Sequence, residues 1–447
     1  MPNVALPAAD LVTAAVADFA SSDPYRAQPS PYIRHNPYHR PLDVARLAAI
    51  DWARPLTEAE FASDSSLLAN RFLMNVYESD ALFLPADGLH GKERSFEAFY
   101  STRNRQLADQ ARPAVERYAL GFLEDSVKVT GSWEPDAALA HLERSIDEAV
   151  HAERPVLDAI AAAADPRRAA EMLIAQMALD GLTEATAMSQ NLGGAFGPEQ
   201  SELFKIFVDE FGYGVFAAKH STLFTDLCAS IGMAAEPHHY WFFYLPTSIA
   251  ANNYFYTVTR NRTEFFRYIG AMALLEATFA PWFAALAGTL GKVYGDGVDT
   301  RYCDEHAHID QHHGRMAVHD LLLPLARKHG RVAAHGLIRG VEEIRLIGAL
   351  ADADLLAQLR WIPETHAFSP STVAGTTREL TAGTPFETQV ATEGTLLNVR
   401  GGQVDVYWSA TGTPLRLTAG HAVHVPRGRL YGMQAAADAT VVVSPER

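Results

Sequence analysis

Two hydrophobic periods divide this chain, and the place where one replaces the other limits what it can fold into. From roughly residue 137 to 355, apolar side chains recur at helical spacing, interrupted by Gly- and Pro-bearing turns such as 191–200. The pattern predicts helices over 167–190, 199–229, 262–290, 300–328 and 331–358. After a Pro/Ser/Thr-rich linker at 361–377 the texture changes, and 378–447 runs in short alternating segments with Gly turns, as strands do. Residues 1–40, rich in Pro, Ser and Tyr, read as an irregular arm, and 43–130 again carry helical periodicity. We therefore expect a mainly α protein in three parts. These are an N-terminal arm and helical region over 1–135, a helical domain over 136–362, and a small β domain over 372–447.

A formal charge of −16 argues against nucleic acid or an anionic lipid surface as the main partner. Two cysteines, Cys228 and Cys303, allow neither a disulfide framework nor a cysteine-rich metal site. The first twenty residues lack a basic leader pattern, so cytoplasmic residence is expected. The nearly uncharged run Met272–Leu290 contains Glu276 and Pro281 and reads as a buried core helix rather than a membrane span.

Chemistry concentrates in the helix predicted over 300–328. His306, Asp310 and His313 sit at positions 0, +4 and +7, within about 60° of helical arc, so they share one face. Two imidazoles and a carboxylate there form half a site for a divalent transition metal, while His308 and His312 point to the opposite face. A surface His-rich turn is the alternative. Elsewhere, three acids stand where burial would be costly. Glu276 lies in an apolar run, Glu184 falls on the stripe of Leu173 and Met177, and Glu210 sits among Phe204, Phe207, Phe211 and Phe216, with His220 ten residues on. Each could instead meet an arginine or lie on a helix less buried than it looks; their joint occurrence with the His-Asp-His face makes a metal centre the stronger reading. Phe211, Tyr213 and Phe216 could line a pocket beside it, or simply pack.

Three Glu-x-x-His strings (Glu148/His151, Glu236/His239 and Glu305/His308) raise a ferritin-like alternative. Pro237 marks a helix start at the second, and the third lies off the His306 face. No His-Glu-x-x-His, phosphate-binding loop, nucleophile elbow or dinucleotide fingerprint is present.

The order Glu184, Glu210, His220, Glu276, His306, Asp310, His313 resembles the haem-oxygenase-like di-iron oxidases over residues 140–355. The carboxylate at Glu276 and the appended β domain are similar to their N-oxygenating branch, which includes enzymes of nitroimidazole (azomycin) and streptozotocin biosynthesis. The resemblance implies a haem-oxygenase-like helical bundle, a dimerising N-terminal region and a C-terminal cupin. It also implies that the seven residues hold two Fe(II) per chain, with Glu184 or Glu210 as the bridge. O2 would be the co-substrate, and an external electron donor, a reductant or reductase, would be required.

An iron-binding cupin needs a His-x-His and a later histidine. No histidine lies between His366 and His421, Tyr431 stands after the Pro426-Arg427-Gly428 turn, and His421 and His424 are three apart. The β domain is therefore expected to lack metal. Oxidation of an amine nitrogen in natural-product biosynthesis, with 2-aminoimidazole going to 2-nitroimidazole, becomes the leading expectation. The partner is then a small-molecule amine, and the chain a soluble homodimer. An N-hydroxylase of an arginine or guanidine derivative, a same-fold oxidase cleaving C–C bonds or desaturating, and a non-enzymatic metal- or small-molecule-binding protein are the alternatives.

Overall fold

Proline opens three helices that frame the candidate site: Pro166–Gly181, Pro198–Glu210 and Pro246–Arg260. Its fixed φ suits the first helical position and its missing N–H would be unpaired there anyway. Asp165 caps the first of these by accepting a hydrogen bond from the Arg168 N–H at 3.1 Å. A computed structural model describes residues 9–368 and 374–446. The first eight residues of the arm, the linker stretch 369–373 with the expected start of the β domain at 372, and residue 447 lie outside the described residues.

The helical body is built around Phe265–Tyr294, which packs against both Arg301–Arg315 and Leu323–Arg360. The stretch Arg262–Gly297 is long and apolar enough to cross a membrane by length and composition, and half of its most apolar window is buried against the other helices. Two glycines allow the closest crossing. A Cβ on Gly270 would stand 2.7 Å from the Leu337 carbonyl carbon, and one on Gly340 would stand 2.7 Å from that of Arg267. The helices expected over 300–328 and 331–358 are joined. Arg301–Arg315 runs through a π-helical segment, Met316–Leu322, into Leu323–Arg360, and the break between the expected pair survives as a kink at Gly330, with φ of 63°.

Three sequence expectations give way. The arm is not irregular throughout: Ala9–Ala20 is helical, and Tyr25, Tyr38 and Arg40 are buried. Arg40 anchors it by pairing with the equally buried Glu78, which also takes a 2.6 Å contact from His238 Nε2. A buried charge left unpaired would cost several kcal/mol, so the pair fixes the path of the arm. The helix expected over 167–190 stops at Gly181, leaving Glu184 in an irregular turn where Ala185 adopts a φ of 61°. The helix expected over 199–229 is two, Pro198–Glu210 and His220–Ser230. Between them Gly212, Tyr213 and Gly214 all take positive φ, which no helix tolerates.

Among the described residues the β region has nine strands: Thr365–Ala367, Thr376–Leu380, Thr388–Val390, Thr395–Gly401, Gln403–Tyr407, Leu415–Thr418, His421–Val425, Leu430–Ala435 and Ala439–Pro445, β1 to β9 in that order. It therefore begins before residue 372. Two antiparallel sheets, ordered β1-β7-β4-β9-β2 and β3-β8-β5-β6, face each other across apolar side chains including Trp361, Leu397, Val406, Val423 and Tyr431. The sandwich is tied to the helices at Thr388, whose hydroxyl accepts from the buried Arg71 guanidinium at 2.7 Å, and by Phe386 edge-on to Phe242.

Candidate metal centre

The seven residues arrive on five separate elements. Glu184 comes from the turn after Pro166–Gly181, Glu210 from the last position of Pro198–Glu210, and His220 from the first of His220–Ser230. Glu276 is mid-helix in Phe265–Tyr294, and His306, Asp310 and His313 line one face of Arg301–Arg315. All seven are buried, whereas His308 and His312 are exposed on the far side. Among the described residues no Lys or Arg bonds any of the four carboxylates, so none of these acids is explained there by meeting an arginine.

Six of the seven fall into two overlapping sets. The ligand atoms of Glu184, Glu210, His220 and His306 lie within 4.8 Å of one another, and so do those of Glu210, Glu276 and His313. Glu210 is the member common to both. Asp310 belongs to neither set; it sits beside the second, with Oδ1 3.5 Å from His313 Nδ1.

These contacts are too many for the protons available. His313 Nδ1 faces Glu276 Oε2 at 3.2 Å, Glu210 Oε1 at 3.4 Å and Asp310 Oδ1 at 3.5 Å, yet one ring nitrogen carries at most one proton. It makes no hydrogen bond to any of them. Glu184 Oε2, His220 Nδ1 and both Asp310 oxygens are likewise buried without a hydrogen-bond partner. Buried polar atoms are nearly always satisfied, so a convergent group of orphans marks a site shaped for an ion.

The rings of His306 and His313 are each held by a further hydrogen bond. His306 Nδ1 lies 2.8 Å from the Tyr302 carbonyl, which can only accept, so that nitrogen holds the proton and Nε2 faces Glu184. His313 Nε2 donates to Asp209 Oδ2 at 3.0 Å, which frees Nδ1 toward the acids. Tyr302 also donates to Glu184 Oε1 at 3.1 Å. Asp209 and Tyr302 were not legible in the sequence: the sole signal was adjacency to Glu210 and the i−4 position relative to His306. Replacing Asp209 with alanine is expected to weaken iron affinity about 10- to 100-fold by releasing the His313 ring. Competition against a ferrous chelator measures this, and an unchanged affinity would mean that Nδ1 of His313 is not a ligand.

Burial and the crowding of like groups shift the titration of these side chains. Burial, helped by Glu276, pushes the Glu210 carboxyl up to about 7, and burial likewise lifts Asp310 to about 7. Burial opposes charging of His306 and His313, but Glu184 outweighs it at the first and Asp310 and Glu276 at the second, raising them to about 10 and about 11. His220 is lowered by burial. At neutral pH the cluster thus holds protons that a metal ion would displace.

Beside the cluster lies a cavity of about 360 Å³, lined by all four candidate carboxylates and His306, by Asp180, Ser248, Asn252 and Tyr268, and by apolar walls that include Met272 and Phe279. Phe211, Tyr213 and Phe216 do not line it. Tyr213 and Phe216 are 72% and 78% exposed, because the chain leaves Glu210 in a left-handed turn that carries them to the outside.

Comparison with known proteins agrees with this geometry. A family model described as an iron-containing redox enzyme matches residues 171–344, a segment that contains all seven residues. Over 420 residues the chain is 39% identical to a nitrosourea synthase of Streptomyces achromogenes subsp. streptozoticus, covering 91% of this chain and 89% of the relative.

Proposed function

Because the chain belongs to the haem-oxygenase-like iron-containing redox enzymes, we propose that it is a di-iron N-oxygenase using O2 to oxidise an amine nitrogen of a small substrate in natural-product biosynthesis. The observation that carries this is Glu210, common to two convergent sets of buried ligand atoms, three of which lack a hydrogen-bond partner. The donor set fits iron: imidazole nitrogens and carboxylate oxygens suit Fe(II), and four carboxylates match the charge of two such ions. Glu184, Glu210, His220 and His306 would hold one ion and Glu210, Glu276 and His313 the other, with Asp310 beside the second. When bound, the iron pair supplies O2 reduction and oxygen transfer to nitrogen.

The protein supplies placement. Asp209 and the Tyr302 carbonyl hold two imidazoles in fixed tautomers, Tyr302 orients Glu184, and the apolar walls keep bulk water from the reacting nitrogen. Oxidising an amine to a hydroxylamine yields two of the four electrons that O2 accepts, so an external donor provides the rest. A nitrosourea carries an oxidised nitrogen, which ties this architecture to nitrogen chemistry in the relative.

For the substrate we favour 2-aminoimidazole, oxidised through to 2-nitroimidazole. The cavity is small and, among the described residues, has no Lys or Arg in its lining to meet the carboxylate of an arginine derivative. A homodimer formed through the helical N-terminal region, and cytoplasmic residence, complete the proposal.

The test is anaerobic loading with Fe(II), a count of iron per chain, then O2 and a chemical reductant with 2-aminoimidazole. Two irons per chain and oxygen-added product by mass spectrometry are expected. Failure to hold two irons, or O2 uptake that no amine accelerates, sinks the proposal.

A further inference from the structure

Asp180 is the one acid of the cavity that the metal assignment leaves unused. It lies in the last turn of the Pro166–Gly181 helix, four residues before Glu184, and faces the same 360 Å³ space. No hydrogen bond or ion pair reaches its carboxylate from any described residue. Asp180 is itself exposed, so its unpaired carboxylate is open to a ligand entering that space.

A second group points the same way. The side chain of Tyr268 lines the cavity, and its buried hydroxyl has no hydrogen-bond partner. A buried hydroxyl without a partner loses the hydrogen bonds it would make in water, so it is suited to meeting a polar ligand. Asn252 commits one of its two amide N–H donors to the Leu179 carbonyl at 3.1 Å, and its side-chain oxygen is available as an acceptor. Ser248 adds a hydroxyl. The unspent polar groups include two acceptors and two hydroxyls, the one formal charge among them is negative, and among the described residues no Lys or Arg lines the space. Such a site is complementary to a cation rich in N–H groups and repels an anion.

We propose that Asp180 sets specificity. Its carboxylate pairs with a small planar nitrogen cation, a protonated amino-heterocycle or guanidine, through two parallel N–H···O bonds, and so presents one nitrogen of that cation to the carboxylate–histidine cluster. Asn252 and Tyr268 complete the cradle. What then happens to the nitrogen rests on the N-oxygenase proposal; the binding does not.

Calorimetric titration of the Fe(II)-loaded full-length protein without O2 separates the two. The probes are 2-aminoimidazole and methylguanidine, both cationic at neutral pH, and 2-aminothiazole, a near-isostere of the first that is uncharged there. Wild type is expected to bind at least one cation more tightly than 2-aminothiazole. Asp180→Asn is expected to lose cation affinity on the order of 10- to 100-fold, while 2-aminothiazole binding and iron content stay as they were. Asp180→Glu should recover part of the loss. Equal binding of cation and neutral isostere by wild type overturns the proposal even if Asp180→Asn does not fold, and so does an Asp180→Asn protein that keeps full cation affinity. Cation binding that depends on Asp180, without amine-accelerated O2 uptake, would leave Asp180 assigned and remove the N-oxygenase proposal alone.

Discussion

Glu210→Gln is expected to empty both halves of the metal centre, whereas His220→Ala and Glu276→Gln should each empty one. The difference follows from the geometry: Glu210 is common to both sets of convergent atoms, while His220 belongs only to the first and Glu276 only to the second. Iron counts per chain after anaerobic loading should therefore fall from two toward zero for Glu210→Gln and toward one for the other two. Losing the metal chemistry removes several kcal/mol of transition-state stabilisation, about 10³-fold or more in rate. Stability should move in the opposite direction. In the metal-free protein Glu210 is a buried acid crowded by Glu276, and burial and that repulsion drive its carboxyl up to about 7. Glutamine removes the charge at nearly constant shape, so the metal-free variant should melt higher than metal-free wild type. Activity lost with melting temperature gained is the signature of a metal site. A structural acid would lose both, and a variant that keeps two irons and full turnover would exclude Glu210 as the shared ligand.

How much of this was visible in the sequence varies by residue and for physical reasons. His306, Asp310 and His313 are legible because a helix converts spacing into a shared face, and that helix forms as expected. Glu276 is legible because its apolar surroundings make an unexplained charge costly. Glu184, Glu210 and His220 stand out weakly by themselves: two terminate or begin helices and one sits in an irregular turn, so no periodicity binds them to the others. Resemblance to a family grouped them, and only three-dimensional convergence separated Glu210 from Glu184 as the shared member. Asp180 and Asp209 were invisible, since an acid in the last turn of a helix usually faces water. The loop 211–219 was misread because its Phe and Val residues mimic a helical stripe; the left-handed backbone at 212–214 turns them outward instead. The β texture was plain, yet the short first strand, Thr365–Ala367, was hidden in a linker too brief to show alternation.

Alanine at Gly270 or Gly340 is expected to cost about 2 kcal/mol of net stability, although alanine ordinarily improves a helix interior by roughly 1 kcal/mol over glycine. Both residues sit where Phe265–Tyr294 crosses Leu323–Arg360. The added methyl would overlap the Leu337 carbonyl in one case and the Arg267 carbonyl in the other. Main chain cannot swing aside as a long side chain can, so the helices must separate. Gly288, in the same helix with nothing within 4 Å of an added Cβ, is the matched control, and alanine there should raise the melting temperature. Gly270→Ala and Gly340→Ala act on one contact, so the double variant should lose less than the sum of the singles. The damage should also reach the metal centre. Glu276 lies on the displaced helix, six residues after Gly270, and its 3.2 Å approach to His313 on Arg301–Arg315 depends on the helices staying close. Thermal melts and iron counts on the three single variants decide the matter. If Gly270→Ala melts as high as Gly288→Ala and still holds two irons, the crossing is looser than the glycine pair implies and does not set the distance across the site.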